Sequence, residues 1–247
     1  MILKFKRSQI SIFIIIAVII VAIIVLFLLL RENSSPEQII SLEIQPIHDY
    51  FETCIKDTAE RAIYSIGWSG GYFHYTNNST ENGITYYYLD GKNTMPKIEL
   101  VQDELSSYMN NLLEYCAENL SQFSEFVIKT SQTNTKTTIE ENKIVFDVTY
   151  PVTITKEKSS FFISKFNVPI NSRLGEIYEF SKNITEQQIN DKGKVCISCI
   201  TNQINEKDFY FEMNDYDNET TIFTIIDKKF QLLGNDYRFN FANKYKV

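Results

Sequence analysis

The stretch Ile10–Leu30 constrains this chain more than any other. Its 21 residues include one polar side chain, Ser11, and no charge. At about 1.5 Å of rise per residue it predicts a helix of roughly 30 Å, the thickness of a bilayer's hydrocarbon core. It reads as a membrane anchor over residues 9–30, with residues 10–30 in the lipid bilayer. Lys4, Lys6 and Arg7 precede it without an acid, whereas Arg31 is followed at once by Glu32. The positive-inside rule then places residues 1–8 in the cytoplasm and the remainder outside, a single-pass cell-membrane topology. A cleaved secretory signal would have a shorter apolar run ending at small residues, and Leu26–Leu30 offers no such site.

Charge divides on the same line. Of 24 basic residues three precede the anchor, leaving 21 against all 31 acids, a balance of −10 after it. Such a surface repels phosphate backbones, which argues against a nucleic-acid partner. The 18 Phe and 15 Tyr supply ample apolar area for a core. Residues 31–45 read as a linker and 46–247 as one α+β domain, an antiparallel sheet packed with amphipathic helices.

Within that domain Pro46 opens a first helix, with Ile47, Tyr50, Phe51, Cys54, Thr58 and Ala62 on one face and Gly67 as its end. Tyr72–Tyr75 and Ile84–Leu89 read as a hairpin. A second helix runs from Pro96 to about Phe123 on Ile98, Val101, Leu105, Tyr108 or Met109, Leu112 and Cys116. Phe126–Thr130, the alternating run Ile144–Ile154 and its return Phe162–Ile170 read as strands. Arg173 to about Ile189 is a third helix, and Val195–Ile204 a short fourth. Strands at Phe209–Met213, Thr221–Asp227 and Tyr237–Tyr245 close the chain.

Cys54 and Cys116 lie on the core stripes of two predicted helices, and outside the cytoplasm paired thiols oxidise. The expectation is a disulfide stapling those helices. Cys196-Ile197-Ser198-Cys199 could be a redox dithiol, half a zinc site or a short-loop disulfide. The βαβ context of a redox motif and the two further ligands of a zinc site are both missing, so a structural pair is favoured. The only histidines, His48 and His74, have no nucleophile motif near them. Glu140-Glu141 and Asp215 with Asp217 read as solvated turns, and the calcium-like run Asn214–Asn218 lacks EF-hand spacing. Neither phosphate-binding glycine motif occurs. No catalytic residue, cofactor or metal site is therefore assigned. Asn33, Asn77, Asn78, Asn119, Asn183 and Asn218 head N-glycosylation sequons, with Asn77, Asn78, Asn183 and Asn218 as the candidate sites. The resulting expectation is a membrane-anchored surface protein with a structural or binding role, with a protein partner at the cell surface. A tethered hydrolase or thiol oxidoreductase is the enzymatic alternative.

Lys6-Arg7-Ser8-Gln9 and the Phe/Ile-rich run after it resemble the class III signal of archaeal type IV pilin-like proteins. That resemblance implies cleavage between Ser8 and Gln9 and a subunit of a filament or secretion machine. Two features depart from it. Phe13 stands near the place where pilins commonly carry Glu, and Asn33-Ser34-Ser35-Pro36 breaks the chain where a pilin helix runs on. Arg7-Ser8-Gln9, Cys54 leading to Gly70-Gly71-Tyr72, Pro96 before a helix ending near Cys116, and Tyr237-Arg238-Phe239-Asn240-Phe241-Ala242 also resemble membrane-anchored proteins of small-genome archaea. This second likeness implies an extracytoplasmic α+β domain and no particular activity.

Overall fold

The computed structural model describes residues 15–22, 25, 41–74, 76–118, 120–191 and 195–245. Of the predicted anchor, residues 15–22 and 25 are described, and they are helical. Ile15, Val18, Ile19 and Val21 are each more than half exposed there. Among the described residues no helix is long and apolar enough to cross a membrane. The rest of the anchor, Ser8, Gln9, Asn33 and Asn119 lie outside the described residues. Residues 41–247 form a unit separate from 1–40.

Helix α1 (Gln45–Ser69) is the spine of the domain. Ile47, Phe51, Ile55, Ala59, Ala62, Ile63 and Ile66 recur at three- and four-residue intervals and are fully buried. Burying each large one contributes about 1.5–3 kcal/mol. The face is rotated from the predicted one: Ile55 is inside, while Tyr50 and Cys54 are half-buried. Pro46 sits in the first turn, and the helix ends at Gly70, φ 73°, whose N–H donates to the Ile66 carbonyl.

Gly67 is therefore not the terminator. A Cβ on Gly67 would stand 2.5 Å from the Arg238 carbonyl oxygen and 2.7 Å from the Tyr237 ring, both on a buried strand. The glycine lets helix and sheet touch. In an open helix Gly→Ala stabilises by about 1 kcal/mol. Here Gly67→Ala should destabilise by about 2 kcal/mol, because two packed elements must part. Chemical denaturation of the variant checks the reversed sign.

Two sheets flank α1, which packs on the strand Asn235–Lys244 of one and the strand Ser159–Asn171 of the other. The first runs β2-β1-β9-β8-β7, with β1 Tyr86–Leu89, β2 Lys92–Asn93, β7 Tyr210–Asp215, β8 Thr220–Leu232 and β9 Asn235–Lys244. Its pairings are antiparallel except β1 with β9, which is parallel, so the sheet is mixed rather than purely antiparallel. The expected hairpin is also displaced. β1 turns through Asp90-Gly91 onto β2, and residues 72–74 form no strand. One aromatic from each of β1, β9, β8 and β7 forms a row across this sheet. Tyr87, Phe241 and Phe223 stack at centroid distances of 4.8 and 5.1 Å, and Phe211 lies 5.7 Å beyond. Phe180 of α3 (Leu174–Asn190) covers the row, 6.3 Å from Phe211.

The second sheet is built on β5 (Lys143–Lys156), which pairs along its length with β6 (Ser159–Asn171). Its other edge is shared by β3 (Val127–Thr130) and β4 (Asn134–Ile139). Every second residue of β5 from Ile144 to Ile154 is buried, as the alternation predicts. β4 was not expected. Its outer edge is covered by α2 (Ile98–Leu112), whose side chains replace a neighbouring strand. Gln102 Oε1, Ser106 Oγ and Asn110 Oδ1 accept the backbone N–H groups of Ile139, Thr137 and Thr135 at 2.9, 3.0 and 2.8 Å. Four helical residues advance about 6 Å and two strand residues about 6.7 Å, which is why the ladder keeps step. A free edge is thereby closed.

α2 ends earlier than predicted and passes into 3-10 turns at Leu113–Ala117 and Ser121–Phe123. Its stripe runs Val101, Leu105, Met109, Leu113, Cys116, so Met109 rather than Tyr108 is the core residue. Helix α4 spans Ile197–Lys207.

Candidate binding surface

Flanking the core face, α1 presents a second stripe. Tyr50, Cys54, Asp57, Arg61, Ser65 and Trp68 follow one another at three- or four-residue spacing. They therefore share one face over 18 residues, about 27 Å. α2 and the 3-10 turn after it form the opposing wall. Cys54 and Cys116 tie the two together in a disulfide, with Cα atoms 5.9 Å apart, as expected from their helix positions.

Two concavities lie along this stripe. One of about 450 Å³ is lined by Tyr50, Thr53, Asp57, Arg61, Tyr108 and Tyr115, among others. One of about 260 Å³ is lined by Ser65, Trp68, Tyr72, Phe73, His74 and Asn82. Phe73 and Tyr108, one from each, meet as a tilted ring pair with centroids 4.5 Å apart, so the trough along α1 consists of two hollows divided by this pair. Neighbours hold the rings. Tyr50 is edge-on to Phe51 and Phe123, each at 5.6 Å. The Phe73 N–H donates to Glu104 Oε2 at 3.0 Å, and Ser69 Oγ donates to the Tyr72 carbonyl. Burial, reinforced by the Glu104 charge, raises the Tyr72 phenol above its ordinary range, so its hydroxyl keeps its proton. Tyr115 and Trp68 are 55% and 56% exposed, leaving large ring surfaces for a ligand. Asp57 and Arg61 are exposed between them and offer a paired acceptor and donor set.

A larger hollow, about 600 Å³, lies between α4 and the edge strand β7, lined by Ile197, Ile200, Ile204, Phe209, Phe211 and Met213. Cys196 caps α4, its sulfur accepting the Cys199 N–H at 3.3 Å, and the two cysteines are disulfide-bonded. Among the described residues the element before this helix is α3 and not a strand.

His48, Asp49 and Glu52 place donor atoms within 4.8 Å of one another. His48 Nδ1 is 3.6 Å from Asp49 Oδ1 and 3.8 Å from Glu52 Oε2. Asp49 already accepts from Gln45 Nε2 at 2.7 Å, and both acids are more than half exposed. The group also occupies the first turns of α1, where the helix dipole opposes a cation. It reads as a surface cluster with His48 stacked on Phe166 at 5.3 Å. His74 lies at the trough, well away in sequence and on another element. Asp217 Oδ1 accepts the Glu219 and Thr220 N–H groups, each at 2.7 Å, and so closes the β7–β8 turn. The first of these bonds does most to lower its carboxyl below the usual range. Glu140 pairs with Lys143 at 3.4 Å. Asn77, Asn78 and Asn218 are exposed in turns, and Asn183 is exposed within α3 beside buried Thr185.

No known protein family, curated protein or solved structure matches this chain. The trough's residues were not singled out from sequence, apart from His74 and the cysteines. The signal was present as an aromatic and charged stripe flanking the apolar face of α1.

Proposed function

We propose that this chain holds its α+β domain on the outer face of the cell membrane and binds a ligand there along the α1 trough. The tether is the apolar run Ile10–Leu30, oriented by Lys4, Lys6 and Arg7. The observation that carries the reading is the trough itself. Tyr, Trp and Arg gather in a concave surface over a disulfide, and their rings are set by neighbours before any ligand arrives. These residue types dominate binding hot spots, because they join large apolar faces to polar tips at small cost in conformational entropy. Oxidation of all four cysteines suits an extracytoplasmic compartment.

A photo-cross-linking phenylalanine analogue at Tyr115, in the native membrane, tests it. An adduct at Tyr115, with none at Tyr210 beside the α4 groove, is the expected result. Capture at Tyr210 alone would move the binding surface elsewhere. The pilin-like alternative rests on the N-terminus, where Ile15–Ala22 is helical with exposed Ile and Val. It requires cleavage after Ser8, so native protein beginning at Met1 would remove it.

A further inference from the structure

Building on the trough as the binding surface, we propose that its ligand is a neutral oligosaccharide. Its sugar rings lie on Tyr115, Tyr108 and Trp68, and its hydroxyls bond to Asp57 and Arg61. Three observations narrow the class. The chain after the anchor carries −10, which disfavours polyanions, and Asp57 with Arg61 leaves the floor itself without net charge. Around Asp57 and Arg61 the walls are helical turns whose backbone donors are used internally, so an extended peptide has no strand edge to join there. Thr53, Asp57 and Arg61 interrupt the floor, so an amphipathic helix would find no continuous apolar groove for its anchors. What remains is a molecule with apolar ring faces, hydroxylated edges and no charge. Ring faces match the exposed aromatics, and hydroxyls match a carboxylate beside a guanidinium, which accept and donate respectively.

Trp68 is the chain's single tryptophan and lines the trough, so its fluorescence reports occupancy directly. Detergent-solubilised full-length protein is titrated with cellopentaose, chitopentaose, maltopentaose and a released oligomannose N-glycan. The first three stand for polysaccharide and the last for glycoprotein. A saturable shift with at least one of them is expected. Its apparent Kd should rise about tenfold in Tyr115→Ala and in Asp57→Asn, and stay unchanged in Tyr210→Ala. Both trough residues are exposed, so these variants keep the fold, which circular dichroism verifies. No shift with any of the four sugars, or a shift indifferent to Tyr115→Ala and Asp57→Asn, overturns the proposal. If Tyr115 then still cross-links to a protein, the trough stands and the sugar class falls. If Tyr115 captures nothing, both fall.

Discussion

Replacing Cys54 and Cys116 together by alanine lowers the unfolding free energy by about 4 kcal/mol, the loop-closure entropy of a 62-residue loop. That is a large share of the roughly 5–15 kcal/mol a domain commands. The loop encloses β1, β2 and α2, so the bond restricts everything between the spine and the wall of the trough. In a domain of this size the melting temperature should fall by about 10 °C. The Cys196–Cys199 bond closes a separation of 3 at the start of α4 and has little chain entropy to remove. Cys196→Ala with Cys199→Ala should therefore cost much less. Thermal unfolding of the two double variants compares them, and equal losses would contradict the assignment of Cys54–Cys116 as the main staple.

The other large effect belongs to Arg173. Its side chain is 3% exposed and joins three elements. Nε donates to Glu176 Oε1 at 3.1 Å, Nη1 to Asp227 Oδ1 at 3.2 Å, and Nη2 to the Lys207 carbonyl. The guanidinium also lies 3.8 Å over the Phe209 ring. Arg173→Ala strands a buried carboxylate and should cost about 3–5 kcal/mol. Asp227→Asn should cost no more than about 1 kcal/mol. Burial, opposed by the Lys229 N–H and by Arg173, raises the Asp227 carboxyl above its ordinary range, and its Oδ2 has no hydrogen-bond partner. The neutral amide escapes that desolvation cost and keeps one oxygen for Arg173. The sign of the pH effect follows. A carboxyl raised in the fold stabilises most below the ordinary Asp range, and the contribution is lost as pH rises through the raised value. Wild-type stability should fall across that window, and Asp227→Asn should flatten the fall. Denaturant titrations of both proteins at several pH values check it.

Legibility in the sequence followed how local the determining force is. β5 was readable because one wet face and one dry face impose period two from Ile144 to Ile154, whereas β6 keeps it only from Phe166 to Ile170, and beyond the register shift Ile163 rather than the expected Phe162 is buried. β4 was not. Its inward residues are Thr135 and Thr137, whose backbone N–H groups bond to α2, so no apolar alternation marks the strand. Gly67 looked like a helix end because a local rule prefers the first glycine, whereas contact with Tyr237 and Arg238 decides its role. The parallel β1–β9 pair joins Tyr86 to Ala242, for which nothing near either residue speaks. The Cys54–Cys116 pairing was accessible because helix periodicity put both thiols near the core. The trough was hidden because Tyr, Asp and Arg on an outward helical face look like an ordinary solvated surface until α2 supplies the second wall.

Sidedness is tested most directly by treating sealed cells with a membrane-impermeant amine reagent and mapping the modified lysines. Lys92, Lys129, Lys136 and Lys158 are exposed on the domain. They should be labelled before lysis, while Lys4 and Lys6 should be labelled only after it. Labelling of the four domain lysines only after lysis would put the domain in the cytoplasm and contradict surface display.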